Sequence, residues 1–269
     1  EHWIEKSIQC LEVRIMALFM IKYGKKEHLK QIIDGSLRFA PSQTYVKMEE
    51  LLHNKGQGDL LDGKMKIRFE SAKMYDPDTN ELKGEITNCV AKISIQDVND
   101  MPIFCISHYG VDDTACYKNI RSYKISLSQD KLNCIKQDFS EATHALIILE
   151  PDKFIAGVQA IKGHQIIHDQ IRYYNYDSNS IQMYMYLATG NTEEKFNERL
   201  TLTYENRYRH LLCKDIDFEK QQEYRFIVLD DLITKPVFYD YEFSSEYVLV
   251  PIDDLKHEIA IELPSSSQI

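Results

Sequence analysis

Glu223 and Arg225 are the residues whose types and spacing most invite chemistry. They belong to the run Glu223-Tyr224-Arg225-Phe226-Ile227-Val228-Leu229, which reads as a buried strand. Side chains two apart on a strand share a face, so the carboxylate and the guanidinium stand together while Tyr224 and Phe226 face the other way. Opposite charges on one face of a buried strand are costly unless they pair or bind something. Two readings follow: an internal Glu–Arg pair that serves structure, or a polar site at a sheet edge or cleft. The charged turn from Cys213 to Gln222 leads straight into this strand and belongs to the same segment.

Other clusters carry weaker chemistry. Gly56-Gln57-Gly58-Asp59-Leu60-Leu61-Asp62-Gly63 is the glycine-rich segment. Its glycines would let backbone approach a ligand, with Asp59 and Asp62 as polar anchors. Glycine and aspartate are also ordinary turn residues, and a solvated loop is the plainer reading. Asp59, Asp62, Glu70 and Lys64 are the types a metal-dependent nuclease gathers around a divalent cation. His164 and His168 stand four apart and would share a helix face. Their segment reads as strand and places no third ligand, so no metal is assigned. The fingerprints of phosphate-binding loops, dinucleotide folds, zinc proteases and serine hydrolases are absent.

Composition narrows the class. The chain has 269 residues, 43% of them hydrophobic, which is enough for a sizeable core. A net charge of -10 makes bulk nucleic-acid binding a poor default, because that binding rests on Lys and Arg neutralising phosphates. The six cysteines are scattered and form no CxxC pair. That usage fits free thiols in a reducing cytosol better than a disulfide framework or a zinc site. No apolar run approaches the ~18–20 residues of a membrane helix, and no signal-peptide series is visible. The expected location is cytoplasmic, with no membrane association.

The elements that must position these residues can be read from periodicity. One domain is expected over residues 1–269, with a helix over 1–12 and a frayed tail over 264–269. A buried strand is predicted over 13–23. A helix from Lys25 to Asp34 follows, closed by Gly35 at the position where glycine enters the left-handed conformation. Short strands are expected at Ser36–Phe39, Met65–Phe69, Glu85–Ile95 and Ile103–Ile106, with a helix from Tyr45 to Leu52. Ala145–Leu149 and Glu223–Leu229 read as the strongest strands, and Gln165–Tyr174 as another. Short helical character appears over 151–157 and over 193–212, and further strands over 246–251 and 258–262. Helices and strands do not alternate regularly, so an α+β architecture with a mixed or largely antiparallel central sheet is predicted.

Several segments in order resemble an uncharacterised bacterial family found in abortive-infection and phage-defence settings. They are LFMIKYGKKEHLKQIIDGSLRFAPS, PIFCISHY, HALIILEPDKF, HDQIRYYNY and LLCKDIDFEKQQEYRFIVL, spanning about residues 15–262. Where many relatives carry a short Asn-Asp loop, this chain has the longer stretch with Gly-Gln-Gly-Asp. The opening also resembles ADP-ribosyltransferase toxins, which pair an early strand with a later Gln-x-Glu or Glu-x-Glu. That resemblance implies an ADP-ribosyltransferase-like fold and NAD as the bound nucleotide. By position it implies Gln221 and Glu223 as the catalytic couple, with Tyr23 or Lys22 on the nicotinamide-ribose side. It makes Arg38 or Arg225 the pyrophosphate ligand and Ser42 or Ser107 the second-motif serine. A toxin-like defence effector with a macromolecular acceptor, and a cognate antitoxin or defence-system partner, is the implied role. A non-catalytic sensor or interaction module is the alternative, and a metal-dependent nuclease the third. The Gly56–Gly63 loop would be a lid over the site.

Overall fold

The computed structural model describes residues 19–52, 58–95, 97–110, 116–119, 122–125, 127–178, 181–188, 204–257 and 259–262. The helix expected over 1–12, the helical stretch over 193–202 and the tail over 264–269 lie outside these residues.

An eight-stranded antiparallel sheet organises the chain, and the fold is α+β. Its strands are β1 (Phe19–Gly24), β2 (Ser36–Pro41), β5 (Pro102–Tyr109), β8 (His144–Ile148), β9 (Ile166–Gln170), β12 (Glu223–Val228), β13 (Val237–Asp240) and β14 (Tyr247–Pro251). Strand β8 lies between β1 and β14, as its unbroken apolar run demands. Strand β12 lies between β5 and β9. Both strong strands read from sequence are therefore interior.

Alternation along these strands builds two cores. On one face Met20, Phe39, Phe104, Leu146 and Phe226 pack with Leu29, Ile32, Phe154 and Val158. The last four come from helix α1 (Lys26–Ile33) and helix α4 (Pro151–Gln159). On the other face Phe19, Ile21, Tyr23, Ala145 and Ile147 meet Leu132 and Ile135 of α3 (Gln129–Asp138). Further along that face Ile103 and Ile227 meet Leu211 and Leu212 from the 3-10 segment Tyr204–Leu212. Gly35 ends α1 with φ +86°, and a Cβ there would stand 2.7 Å from the Tyr241 carbonyl oxygen.

Three sequence expectations are corrected. The stretch 165–174 is two strands, broken at Ile171. Strand β9 pairs antiparallel with β12, whereas β10 (Arg172–Tyr174) pairs parallel with β11 (Cys213–Asp215). The hairpin read as Met65–Phe69 and Glu85–Ile95 is longer, with β3 over Lys64–Tyr75 and β4 over Leu82–Ser94. Its outer half alternates weakly because neither face is buried, so periodicity could not find it. Strand β13, α3 and α5 (Ile181–Ala188) were not read at all. Helix α2 spans Gln43–Leu52, and two further short strands, β6 (Cys116–Asn119) and β7 (Ser122–Ile125), join β15 (Ile259–Glu262) in a small separate sheet.

Candidate functional site

The site begins with a split in the sheet. Strand β5 pairs with β12 continuously from Ile103↔Ile227 to Ser107↔Glu223. Along its other edge it pairs with β2 only at Pro102 and Ile103, and with β1 only from Ser107 to Tyr109. Between these points, among the described residues, Phe104 to Ile106 have no strand neighbour on that edge. A buried carbonyl without a partner is costly, and the Lys22 ammonium donates to the Cys105 carbonyl oxygen at 2.5 Å. Lys22 is the residue that follows the last β1–β5 pair, so the divergence of the strands places it there.

The split opens a cleft of about 530 Å³. Its floor is Cys105, Ser107, Glu223 and Arg225. Its walls come from Lys22 and Tyr23 on β1, Arg38 on β2, His28 on α1 and Tyr45 on α2. Lys25 and Glu141 form an exposed ion pair at 3.0 Å beside it. Five cationic side chains, Lys22, Lys25, Arg38, Lys214 and Arg225, line the cleft against two carboxylates, Glu141 and Glu223. Lys25 is paired with Glu141, and Lys214 and Arg225 with Glu223 and Asp62, so Lys22 and Arg38 carry the positive charge that the cleft offers.

Beneath the floor lies a buried charge network. Glu223 accepts from Arg225 Nε on one carboxylate oxygen and from Lys214 Nζ on the other, the latter at 2.7 Å. Arg225 donates to both oxygens of Asp62, at 2.6 and 3.0 Å, and to the Leu211 carbonyl at 2.8 Å. Lys214 also donates to Gln221 Oε1 at 3.2 Å, and Gln221 Nε2 donates to Asp138 at 3.1 Å. Arg225 and Asp62 are essentially inaccessible, at 1% and 0% exposure, so these charges are held by one another rather than by water.

Electrostatics follow from that enclosure. Burial opposes ionisation of Glu223, but the Arg225 and Lys214 charges outweigh it and hold the carboxyl well below the usual range. Lys214 is raised above the usual lysine value: burial works against its charge, and Glu223 overcomes it. Burial pushes the Cys105 thiol up to about 12, with Glu223 adding to the effect, so it stays protonated. Lys22 is lowered by burial, partly offset by Cys105 and Glu223. Asp59, buried beside Asp62, is raised to about 6 by desolvation, against the pull of Lys214.

Most residues implied by the sequence converge. Tyr23, Lys22, Arg38, Ser107, Gln221, Glu223 and Arg225 line one cleft. Ser42 does not: it is fully buried and donates to the Val98 carbonyl at 3.3 Å. Tyr23 contributes its ring, because its hydroxyl is bonded to the Tyr109 hydroxyl at 2.6 Å. Arg225 commits its guanidinium to Asp62, Glu223 and Leu211, so it shapes the floor, and Arg38 is the exposed arginine of the pair. The nuclease grouping is not assembled. Asp62 clamps Arg225, Lys64 donates to the Leu60 carbonyl, and Glu70 is exposed on β3. His168 bonds Tyr224 and His164 stands by Asp230, so they share no centre. Among the described residues no group of three His, Cys, Asp or Glu is arranged to hold a metal ion. Residues 56 and 57 of the expected lid lie outside the described residues, and its C-terminal part lies under the floor, with Asp62 clamping Arg225.

Sequence reading missed Lys214, Tyr45 and Asp138. Lys214 stood in the charged turn before β12, but nothing local says that a lysine nine residues away reaches Glu223. The pairing of β10 with β11 brings it there.

No family model, curated protein or solved structure matches the chain. Among the described residues no helix is long and apolar enough to cross a membrane.

Proposed function

We propose that the cleft binds NAD and that the protein transfers ADP-ribose from it to a macromolecular acceptor, as a toxin-like effector of anti-phage defence. The observation that carries this reading is the joining of an ionised carboxylate, Glu223, with the cations Lys22 and Arg38 in one cleft. Guanidinium and ammonium groups suit a diphosphate, and Arg38 and Lys22 stand on the walls where one would lie. Tyr45 and Phe238 add apolar lining for a base or ribose.

In the transfer, the bond between ribose C1′ and the nicotinamide nitrogen breaks, and nicotinamide leaves with the bonding pair. The ribose carbon becomes oxocarbenium-like. An acceptor nucleophile forms the new bond to C1′ and gives up its proton to solvent water. A fixed carboxylate favours the positive charge that develops. Held ionised by Lys214 and Arg225, Glu223 is a poor proton carrier and an electrostatic anchor, and Gln221, tied to Lys214 and Asp138, would orient the acceptor by exchanging one of those bonds. The cytoplasm is the compartment that suits this role and the free thiols.

A second reading draws on a specific feature: both Glu223 oxygens already accept from cations. That suits a nucleotide-sensing module that binds without turnover and passes the signal to a defence partner. One experiment separates the two. Wild type, Glu223→Gln and Arg38→Ala are titrated with NAD by calorimetry and assayed for nicotinamide release and label transfer. Release that disappears in Glu223→Gln while NAD binding persists supports transfer. Binding without release in wild type supports the sensor. Neither binding nor release in a folded wild type removes both.

A further inference from the structure

Strands β3 and β4 form an arm that the cleft does not use. They pair from Lys64↔Ser94 to Tyr75↔Leu82, a length of roughly 40 Å at about 3.3 Å per residue. The base is seated, with Met65 buried against Tyr176, Met183 and Leu187. Beyond Phe69 the arm is exposed: Met74 at 50%, Tyr75 at 53%, Leu82 at 53% and Ile86 at 46%. A two-stranded ribbon standing alone in water is marginal, and this one leaves apolar side chains uncovered.

Charge is segregated along the arm. Lys64, Lys66, Arg68 and Lys92 sit at the base, where the strands carry no carboxylate. Glu70, Lys73 and Glu85 alternate in the middle. Asp76, Asp78 and Glu81 make the tip acidic, and Lys83 offsets part of that from 3.5 Å. Lys66 and Lys92 are direct cross-strand neighbours, and like charges so placed repel unless a carboxylate joins them. Asp177 of the same chain takes Lys66 and Arg68 at 2.6 Å each, which offsets one of the four positive charges and leaves the base basic.

Such an arm complements itself when reversed. Laid antiparallel about a twofold axis, each basic base meets the other arm's acidic tip. Ile86, whose partner is Ala72, lies midway between the Lys66 row and Asp78, so the axis falls there. Met74, Ile86 and Val90 share the face that carries Lys66, Arg68 and Lys92. An isologous interface requires one patch to match its own copy under a twofold rotation, and charge order along this arm does so.

We propose that the β3–β4 arm is a homodimerisation element, in which two copies pack these faces antiparallel and cover Met74, Ile86 and Val90. The test is sedimentation velocity on the full chain over a concentration series. A dimer of twice 31.5 kDa is expected. Ile86→Asp should weaken association at least tenfold while circular dichroism stays unchanged. Arg68→Glu with Lys92→Glu should weaken it similarly, and adding Asp78→Lys with Glu81→Lys should restore it, because both halves of the charge match are then exchanged. A monomer at every concentration overturns the proposal. So does a dimer indifferent to all of these variants, or an arm that associates only when nucleic acid is added.

Discussion

The cleft floor and the β3–β4 arm invert the usual arrangement in opposite directions. The floor hides charges: Arg225, Asp62, Glu223 and Lys214 are all buried. The arm exposes apolar groups: Met74, Tyr75, Leu82 and Ile86 stand in solvent. Each departure is tolerable for a different reason. Buried charges survive because every one has an opposite charge in contact, and removing one partner strands the other in a medium that solvates it poorly. Exposed apolar side chains cost little in an isolated chain and are retained where something covers them. The lesson is that the floor is rigid by necessity, whereas the arm's contribution depends on what it meets.

The largest expected effects fall on the floor and on the strands beneath it. Ile148, at 0% exposure on a strand flanked by β1 and β14, should not accept Asp; Ile148→Asp is expected to prevent folding, read by loss of cooperative denaturation. Asp62→Ala leaves the Arg225 guanidinium short of its bidentate partner and should cost about 3–5 kcal/mol in urea unfolding. A cost under about 1 kcal/mol would mean that the network is not what holds Arg225. Gly35→Val places a β-branched residue at φ +86° against the Tyr241 carbonyl, and about 1–3 kcal/mol of destabilisation is expected from the same melts.

Acid sharpens the contrast. Glu223 titrates below its ordinary range in the fold, so its share of stability is present at neutral pH and lost as pH falls through that depressed value. Asp59 acts the other way. Raised to about 6, it is most favourable to folding below its ordinary value of 3.8, and its contribution falls as pH rises from there to about 6. Asp59→Asn should therefore gain stability relative to wild type between pH 4 and pH 6, by up to about 3 kcal/mol. A constant difference across that window would argue against a desolvated carboxyl. The smallest effect belongs to the arm: Met74→Ser should change monomer stability by no more than about 0.5 kcal/mol, while altering self-association.

Legibility followed burial and locality. Ala145–Leu149 and Glu223–Leu229 were readable because interior strands must be apolar nearly throughout. Helix α1 was readable because Leu29, Ile32 and Gly35 obey local spacing. The outer arm was not, because a ribbon exposed on both faces carries no apolar period. Of the site, Glu223 and Arg225 announced themselves as charges in a buried run. Their partners did not, since Asp62 is 163 residues away from Arg225 along the chain. Ser42 was drawn in by resemblance and falls outside the cleft because the turn into α2 points it at Val98.

By itself, the sequence determined that two opposite charges share one face of an interior strand, that the fold is α+β with a mixed or largely antiparallel sheet, and that the chain is acidic overall. All three follow from periodicity and composition, which are local or additive. Only the tertiary structure decided that Glu223 and Arg225 are at once a structural pair and the floor of a cleft. That outcome depends on β1 and β2 parting from β5, on Lys22 filling the gap, and on Lys214 and Asp62 arriving from distant segments. Strand pairing over such separations is set by the packing of the whole sheet, and no short stretch of residues encodes it.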